Sequence, residues 1–203
     1  MQVEATEIPD VKILTPKRFG DSRGFFSEVY NRRVFAEAGI TLDFLQDNQS
    51  LSRDVGTLRG LHFQAPPFAQ DKLVRVIAGA IFDVAVDIRV GSPTYGRWVG
   101  VELSAENFRQ LLIPVGFLHG FVTLAPDTVA IYKVTAPYSV AHDLALHAGD
   151  EQSHFAARNG FSMSRSLGST ASLAESAGWA AFSGQAMPMS GSSQATPPSW
   201  AAE

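Results

Sequence analysis

The sequence contains no cysteine, no surplus of positive charge and no long apolar run. The lack of cysteine excludes disulfide bonds, thiol nucleophiles and thiolate metal ligands, and it fits a reducing compartment. A net charge of −4 gives no electrostatic reason to expect nucleic acid or an anionic membrane as a partner. No apolar segment approaches the roughly 18 residues of a membrane span, and the acidic N-terminus does not resemble a signal peptide. We therefore expect a cytoplasmic protein without nucleic-acid or membrane partners.

Motifs for metal, phosphate and nucleophilic chemistry are also missing. His62-Phe63-Gln64 stands in a β-like segment where a metal-binding β-barrel usually offers His-x-His, and no glutamate follows nearby. His62 and His119 would give a first-row metal two ligands, whereas zinc and iron sites generally need three. No glycine-rich phosphate loop, dinucleotide fingerprint or G-x-S-x-G elbow occurs. The sequence therefore predicts no metal and no cofactor.

Short β-like segments separated by Gly, Pro, Asp or Asn fill roughly the first 145 residues. This pattern predicts an all-β sandwich or barrel. The best short helix is “NRRVFAEAG”, which Asn31 could cap and Gly39 could end. In “IFDVAVDIR” the apolar residues alternate with Asp83, Ala85 and Asp87. Because side chains alternate along a strand, one face of this strand packs and the other meets either a polar cavity or solvent.

The composition changes after about residue 145. Every valine and isoleucine of the chain lies at or before Val140, and residues 146–203 are dominated by Ser, Ala and Gly. Such a segment buries little apolar surface to offset its ordering entropy. We therefore divide the chain into a barrel over residues 1–145 and a divergent tail over residues 146–203. The tail is expected to be either disordered or the product of a reading-frame change.

Two histidines and one tyrosine are the candidate acid–base groups. His62 lies in “LRGLHFQ”, His119 lies on a bend in “IPVGFLHGF”, and Tyr132 lies in “AIYKVT”. Histidine is the commonest general base, and tyrosine can donate a proton. Taken singly, each histidine is more often a structural residue than a catalyst. Lys72 begins a strand and could carry positive charge into the barrel.

Two arginines are candidates for binding an anionic ligand, Arg23 in “GDSRGFF” and Arg59 in “LRGLHFQ”. Arg59 and His62 are three residues apart and would point to opposite faces of a regular strand. Both can meet one ligand only if Gly60 lets the strand bend or bulge between them.

Several blocks of the sequence occur in the order and spacing of the dTDP-4-dehydrorhamnose 3,5-epimerase family. They are “FGDSRGFFSEVYN”, “QDNQS”, “TLRGLHFQAPP”, “QDKLVRVIAGAIFDVAVDIRVGSPTYGRWVGVELSAEN”, “RQLLIPVGFLHGFVTL” and “AIYKVTAPYS”. The chain resembles this family from about residue 5 to residue 143. The resemblance implies a cupin-like jelly-roll β-barrel that works as a homodimer without metal or cofactor. It implies a dTDP-4-keto-6-deoxy sugar substrate, namely dTDP-4-dehydro-6-deoxy-D-glucose, which becomes dTDP-4-dehydro-L-rhamnose in dTDP-L-rhamnose biosynthesis for surface polysaccharides.

The resemblance also implies roles for individual residues. His62 would be the base and Tyr132 the acid, while Lys72 would stabilise the enolate oxygen, an electrostatic role that usually dominates such steps. Arg59, and Arg23 of the partner subunit, would hold the diphosphate, because a guanidinium matches phosphate oxygens in a bidentate manner. The remaining substrate contacts would be Phe26, Glu28, Gln46, Asn48, His119 and Tyr138, the last by stacking on thymine. Asp83 would support Lys72 or His62.

The sequence departs from the family pattern after Tyr138. The family continues with an LS-x-K-D segment whose aspartate hydrogen-bonds the catalytic histidine, and “LSRD” occurs here only at Leu51–Asp54, far from that place. A carboxylate behind a histidine fixes its tautomer and raises its basicity. Three alternatives therefore stay open: a weakened or inactive dTDP-sugar-binding protein, a C3-only or C5-only epimerase or ketoisomerase, and a tail that places Asp143 or Asp150 behind His62.

Overall fold

The computed structural model of the chain describes residues 1–145, and these form β-strands, loops, one short α-helix and one turn of 3-10 helix at Val140–His142. The strands are β1 (Gln2–Ala5), β2 (Lys12–Thr15), β3 (Phe19–Asp21), β4 (Gly24–Phe26), β5 (Gln46–Ser52), β6 (Leu58–Gln64), β7 (Lys72–Ala78), β8 (Ala80–Asp87), β9 (Trp98–Ser104), β10 (Gln110–Ile113), β11 (Phe117–Thr123), β12 (Thr128–Val134) and β13 (Asp143–Ala145). The all-β prediction is confirmed. The tail predicted over residues 146–203 lies outside the described residues.

Two antiparallel sheets carry the fold. The first has the strand order β1-β2-β10-β7-β12-β5, and the second has the order β13-β6-β11-β8-β9. Most neighbouring strands come from distant parts of the chain, as in a jelly roll. Within the described residues no strand of one sheet pairs with a strand of the other, so the barrel is an open sandwich. Strands β3 and β4 form a separate hairpin.

The main hydrophobic core lies between the two sheets. It includes Val74 and Leu111 from the first sheet and Ile81 and Leu103 from the second, all of which are buried. Burial of one such side chain contributes about 1.5–3 kcal/mol to folding. This packing fixes the two sheets relative to each other, and it therefore also fixes the polar side chains that they project into the space between them.

The short helix α1 (Arg32–Glu37) lies where the sequence predicts it. The side chain of Asn31 accepts hydrogen bonds from the backbone N–H groups of Arg33 and Val34, as an N-cap residue should. Gly39 follows with a φ of 79°, which suits the end of a helix. The buried Phe35 packs in a cluster with residues of β2, β7 and β10. Within residues 1–145 no helix is long and apolar enough to cross a membrane.

Strand β8 shows the predicted alternation, and both of its aspartates are fully buried. Phe82, Val84 and Val86 pack on the side of the second sheet that faces away from the first. Asp87 accepts hydrogen bonds from Arg89, Ser92 and Thr94. Burial alone would raise the pKa of the Asp87 carboxyl, but these hydrogen bonds lower that pKa well below its ordinary value. The alternative of two solvent-exposed aspartates is therefore wrong.

Candidate active site

A cavity of roughly 240 Å³ opens between the two sheets and contains most of the predicted site residues. The predicted residues that line it are Gln46, Asn48, Arg59, His62, Lys72, His119, Tyr132 and Tyr138. A larger cavity of roughly 520 Å³ lies beside Tyr30 and Arg75, but of the predicted residues only Asn48 reaches it. We therefore place the candidate site at the smaller cavity.

A bulge in β6 brings Arg59 and His62 to the same cavity. His62 pairs with His119 and Arg59 pairs with Phe121, so β6 has one more residue than β11 between these two pairs. The extra residue is accommodated at Gly60, which has a φ of 110°. A Cβ atom on Gly60 would lie 2.6 Å from Gly120 Cα and 2.7 Å from His119 O. The glycine bulge expected from the sequence is confirmed.

Arg59 is held by strand β5. Its Nε atom donates to Ser52 Oγ at 3.0 Å, and its Nη2 atom donates to the carbonyl oxygen of Leu51 at 3.1 Å. These contacts use the guanidinium edge on the β5 side and fix the direction of the group. An arginine fixed in this way is preorganised to receive an anion, since less rotamer freedom is lost when the anion binds.

Lys72 and Tyr132 enter the cavity from the first sheet. Burial lowers the pKa of the Lys72 ammonium, and the negative charges of Asp143 and Asp83 act in the opposite direction. Burial raises the pKa of the Tyr132 phenol, which the charge of Arg59 opposes. The tyrosine is therefore protonated at neutral pH and can donate a proton. The lysine places a positive group beside it, where developing negative charge on a ligand would be stabilised.

Asp83 hydrogen-bonds a different histidine from the one that the sequence suggested. Its Oδ1 atom lies 2.7 Å from His119 Nε2, and both side chains are buried. Asp83 acts on Lys72 through its charge rather than through a hydrogen bond. The expected support of His62 by Asp83 is therefore replaced by support of His119, because β8 pairs directly with β11 and not with β6.

The carboxylate next to His62 comes from β13. Asp143 Oδ1 is 3.9 Å from His62 Nδ1, and its Oδ2 accepts a hydrogen bond of 3.1 Å from the hydroxyl of Tyr138. Burial and the charge of Asp143 raise the pKa of the Tyr138 phenol. Asp143 thus lies near His62, although 3.9 Å is too long for a hydrogen bond between these two atoms, and Asp150 lies outside the described residues.

Two glutamines, Gln64 and Gln70, line the cavity but were not predicted as site residues. Gln64 donates to the carbonyl oxygens of Phe68 and Pro137 and accepts from the backbone N–H of Ser139. Gln70 donates to the carbonyl oxygen of Ala136. Gln64, at the position considered for a metal ligand, thus joins the loop after β6 to the loop after β12. Within residues 1–145 no three His, Cys, Asp or Glu side chains are grouped so that they could hold a metal ion.

Three predicted residues lie away from the cavity, on or beside the β3–β4 hairpin. They are Arg23, Phe26 and Glu28, none of which lines the cavity. Arg23 forms an exposed ion pair of 2.6 Å with Asp21. Phe26 is 70% exposed, and Phe19 and Phe25 are exposed as well. A hairpin with three exposed phenylalanines is an unusual surface for a polypeptide that has no partner.

Comparisons with known proteins identify one family. The family model described as dTDP-4-dehydrorhamnose 3,5-epimerase matches residues 5–169, so the match extends past residue 143 into the segment that was expected to diverge. The dTDP-4-dehydrorhamnose 3,5-epimerase of Shigella flexneri is 59% identical over 152 residues, which cover 74% of this chain and 83% of that protein.

Solved structures give the same result. The crystal structure of dTDP-4-dehydrorhamnose 3,5-epimerase from Bacillus anthracis, with TDP and PPi bound, is 53% identical with a TM-score of 0.70 and covers 71% of this chain and 83% of that one. The dTDP-6-deoxy-D-glucose-3,5-epimerase of Legionella pneumophila, in complex with dTDP-4-keto-L-rhamnose, is 50% identical with a TM-score of 0.69 and covers 72% and 77%. Sequence and fold thus indicate the same family.

Proposed function

The chain belongs to the dTDP-4-dehydrorhamnose 3,5-epimerase family, and we propose that it epimerises dTDP-4-dehydro-6-deoxy-D-glucose at C3 and C5 to give dTDP-4-dehydro-L-rhamnose. This reaction is a step of dTDP-L-rhamnose biosynthesis. The observation that carries the proposal is the placement of His62 on the second sheet and Tyr132 on the first, on the walls of one cavity. Inversion of a carbon centre needs a base on one face and an acid on the other, which two facing sheets provide.

The proposed reaction uses the C4 ketone of the substrate to acidify the neighbouring C–H bonds. His62 takes the proton, and the electron pair of the C–H bond moves onto the C4 oxygen to form an enolate. The Lys72 ammonium stabilises this oxygen. Tyr132 then returns a proton to the opposite face of the same carbon. The side chain of His62 is 45% exposed, so its proton can exchange with solvent between the two epimerisations.

We assign diphosphate binding to Arg59. Its guanidinium lies in the same cavity as His62 and is held by hydrogen bonds to Ser52 and Leu51. The glycine bulge between Arg59 and His62 makes one strand supply both the anion clamp and the base. Gln46 and Asn48, joined by a hydrogen bond of 2.7 Å, lie on β5 and line the same cavity as Arg59, and the backbone N–H of Tyr138 donates to Gln46 Oε1. We assign the nucleotide to this end of the cavity, with Tyr138 stacking on thymine.

We further propose a homodimer in which the β3–β4 hairpin reaches the neighbouring site. Its three exposed phenylalanines would be buried by contact with a second subunit. Strand β5 is an unpaired edge of the first sheet and carries the proposed nucleotide contacts Gln46 and Asn48. Arg23, Phe26 and Glu28 of the partner subunit would then complete the site. A mixture of the His62→Ala and Arg23→Ala variants tests this. Hybrid dimers hold one intact site, so random mixing of subunits should restore about a quarter of the wild-type activity.

The decisive experiment is deuterium exchange. The protein is incubated with dTDP-4-dehydro-6-deoxyglucose in D₂O, and deuterium at C3 and C5 is followed by NMR. Incorporation at both carbons supports the proposal, and incorporation at one carbon supports a C3-only or C5-only epimerase instead. Binding without exchange would leave a dTDP-sugar-binding protein. The His62→Ala variant should lose exchange and keep dTDP binding, and exchange that survives in this variant would remove His62 from the role of base.

We propose that this reaction takes place in the cytoplasm. The chain has no cysteine and therefore needs no disulfide bond, which fits a reducing compartment. Its proposed substrate is a charged nucleotide sugar. Fractionation of cells that express the intact chain would test this, and recovery with the membranes or outside the cell would contradict it.

A further inference from the structure

The second sheet has an apolar face on the side that points away from the first sheet, here named the outer face. Four of its strands contribute to one apolar cluster there, with Leu61 on β6, Leu118 on β11, Val84 on β8 and Trp98 on β9. A sheet face that meets water normally carries polar side chains in alternation with the apolar ones of the core. The outer face therefore has the composition of a buried surface.

The middle of the second sheet is buried on both of its faces. All seven residues of β11 are buried, with Phe117 and Phe121 in the core between the sheets and Leu118 on the outer face. Leu61 and Val84 are 0% exposed, and Leu118 is 4% exposed. The ends of such side chains would touch solvent if the sheet face were open. Something therefore covers the outer face.

The described residues do not supply this cover. Within residues 1–145, every member of the outer cluster belongs to a strand of the second sheet, apart from Ile88, which directly follows β8. Helix α1 packs on strands of the first sheet, and the β3–β4 hairpin forms a sheet of its own. The cover is therefore either a part of the chain beyond residue 145 or a second molecule.

The described fold ends at one edge of the outer face. Strand β13 is the edge strand of the second sheet, and its Leu144 lies opposite Phe63 of β6. Cross-strand partners lie on the same face of a sheet, and Phe63 packs against the outer cluster. Leu144 therefore extends the outer face to the last described strand, and the chain continues from there with residue 146.

The segment that follows has both the length and the side chains to cover this face. Five strands about 4.8 Å apart make a face roughly 20 Å wide. Residues 146–167 would reach about 33 Å even as a helix, at 1.5 Å per residue. They include the first five large apolar side chains after β13, which are Leu146, Phe155, Phe161, Met163 and Leu167.

We propose that residues 146–167 pack across the outer face of the second sheet, with their large apolar side chains on the cluster around Leu61, Val84 and Leu118. The sheet that carries His62 is then held from both sides, by the core on one face and by this segment on the other. The inference does not depend on the proposed function, because it concerns the packing of the sheet. It places the end of the barrel near residue 167 rather than at residue 145.

The test is limited proteolysis of the full chain with chymotrypsin, which cleaves after aromatic residues. Phe155 and Phe161 lie inside the segment, whereas Trp179 and Phe182 lie beyond it and serve as an internal reference. The rate of cleavage after each residue is followed by mass spectrometry at two protein concentrations. A synthetic peptide of residues 146–167 gives the rate for the segment without the sheet.

Two substitutions remove an apolar side chain from opposite edges of the outer face, Leu144→Ser on β13 and Trp98→Ser on β9. Ile77→Ser is the matched control, because Ile77 is 44% exposed on β7 of the first sheet and Leu144 is 48% exposed. Circular dichroism establishes that each variant is folded before its cleavage is measured.

In the wild type we expect cleavage after Phe155 and Phe161 to be at least about 10-fold slower than in the peptide, because cleavage follows the population of the open segment. Leu144→Ser and Trp98→Ser should each accelerate it by about 10-fold, since each removes apolar contact area from the covered face. Ile77→Ser should behave like the wild type. Cleavage after the two reference residues should be the same in all variants.

A reciprocal pair of substitutions in the tail keeps the test valid even if both face variants fail to fold. Met163→Asp lies inside the segment, and Leu173→Asp is its control beyond the segment. Met163→Asp should accelerate cleavage after Phe155 and Phe161 and should raise the fluorescence of added ANS, a dye that binds exposed apolar surface. Leu173→Asp should change neither quantity.

Three outcomes would overturn the inference. The first is wild-type cleavage after Phe155 and Phe161 as fast as in the peptide. The second is slow cleavage that neither the face variants nor Met163→Asp accelerates, because the segment would then be protected somewhere else. The third is protection that weakens on dilution of the chain, which would assign the cover to a second copy.

Discussion

Substitution of Gly60 by alanine tests the bulge on which the whole site depends. Gly60 has a φ of 110°, where a residue with a Cβ is strained, and this conformation costs about 1–3 kcal/mol. The added Cβ would also lie 2.6 Å from Gly120 Cα and 2.7 Å from His119 O, so two backbone segments must move. Such overpacking costs about 1–3 kcal/mol more. The expected loss is therefore about 2–6 kcal/mol, a large part of the 5–15 kcal/mol that stabilises a typical domain.

A second glycine provides a matched control. Gly91 has a φ of 86°, and a Cβ there would meet no atom within 4 Å. Gly91→Ala therefore carries the conformational cost without the overlap. The difference between the two variants in free energy of unfolding, measured by urea denaturation, should be about 1–3 kcal/mol. If Gly60→Ala unfolds at the same urea concentration as Gly91→Ala, the close approach of β6 and β11 does not require glycine.

The same substitution has a functional consequence. The bulge sets the position of His62 relative to Arg59, so a shift of β6 moves the base relative to the bound diphosphate. A misplacement of about 1 Å can cost about 10²-fold in rate. We expect the kcat for deuterium exchange to fall by about that factor in any Gly60→Ala protein that remains folded. Wild-type kcat in a folded variant would refute the claim that the bulge aligns the two residues.

Three further predictions concern charge and metal. Lys72→Met should lower kcat by about 10²–10³-fold and keep dTDP binding, because it removes the group that is proposed to stabilise the enolate. Loss of dTDP binding together with loss of deuterium exchange would contradict this prediction. Asp87→Asn should lower the free energy of unfolding at pH 7 by about 1–3 kcal/mol. Because the pKa of Asp87 is lower in the folded protein, its contribution is complete above pH ~4 and disappears as the pH falls towards the folded pKa, so thermal melts of variant and wild type should converge in acid. Activity should survive EDTA dialysis, and its loss would show a required metal.

Much of the fold followed from local patterns. The alternation in “IFDVAVDIR” predicted the two faces of β8, and Asn31 and Gly39 predicted the ends of the helix, because each depends on neighbouring residues only. The spacing of Arg59 and His62 predicted the bulge at Gly60, because a regular strand would separate them. The hydrogen-bond partners of Asp83 and Asp87 could not be predicted in this way. They depend on which strand and which loop lie beside β8, and alternation carries no information about either.

The partners of the two histidines depended on sheet register. Asp83 reaches His119 because β8 pairs with β11, and Asp143 reaches His62 because β13 pairs with β6. The three residues of β13 carry no alternation signal, and a register shift of one residue would turn Asp143 to the other face. The sequence could therefore supply Asp143 only as one of two alternatives, and its position near His62 follows from strand pairing.

Tyr132, the proposed acid, and His62, the proposed base, lie on different sheets. The distance between them therefore depends on the core that separates the sheets. Lys72 and Tyr132 are diagonal neighbours on the first sheet, since Val134 pairs with Lys72 and Tyr132 pairs with Val74. The proposed enolate stabiliser and the proposed proton donor thus belong to one sheet, while His62 belongs to the second sheet. The buried residues between the sheets hold the two sheets at a fixed distance, because a close-packed interior is hardly compressible. In the proposed mechanism, removal of a proton towards the second sheet and its return from the first therefore depend on how the two sheets pack.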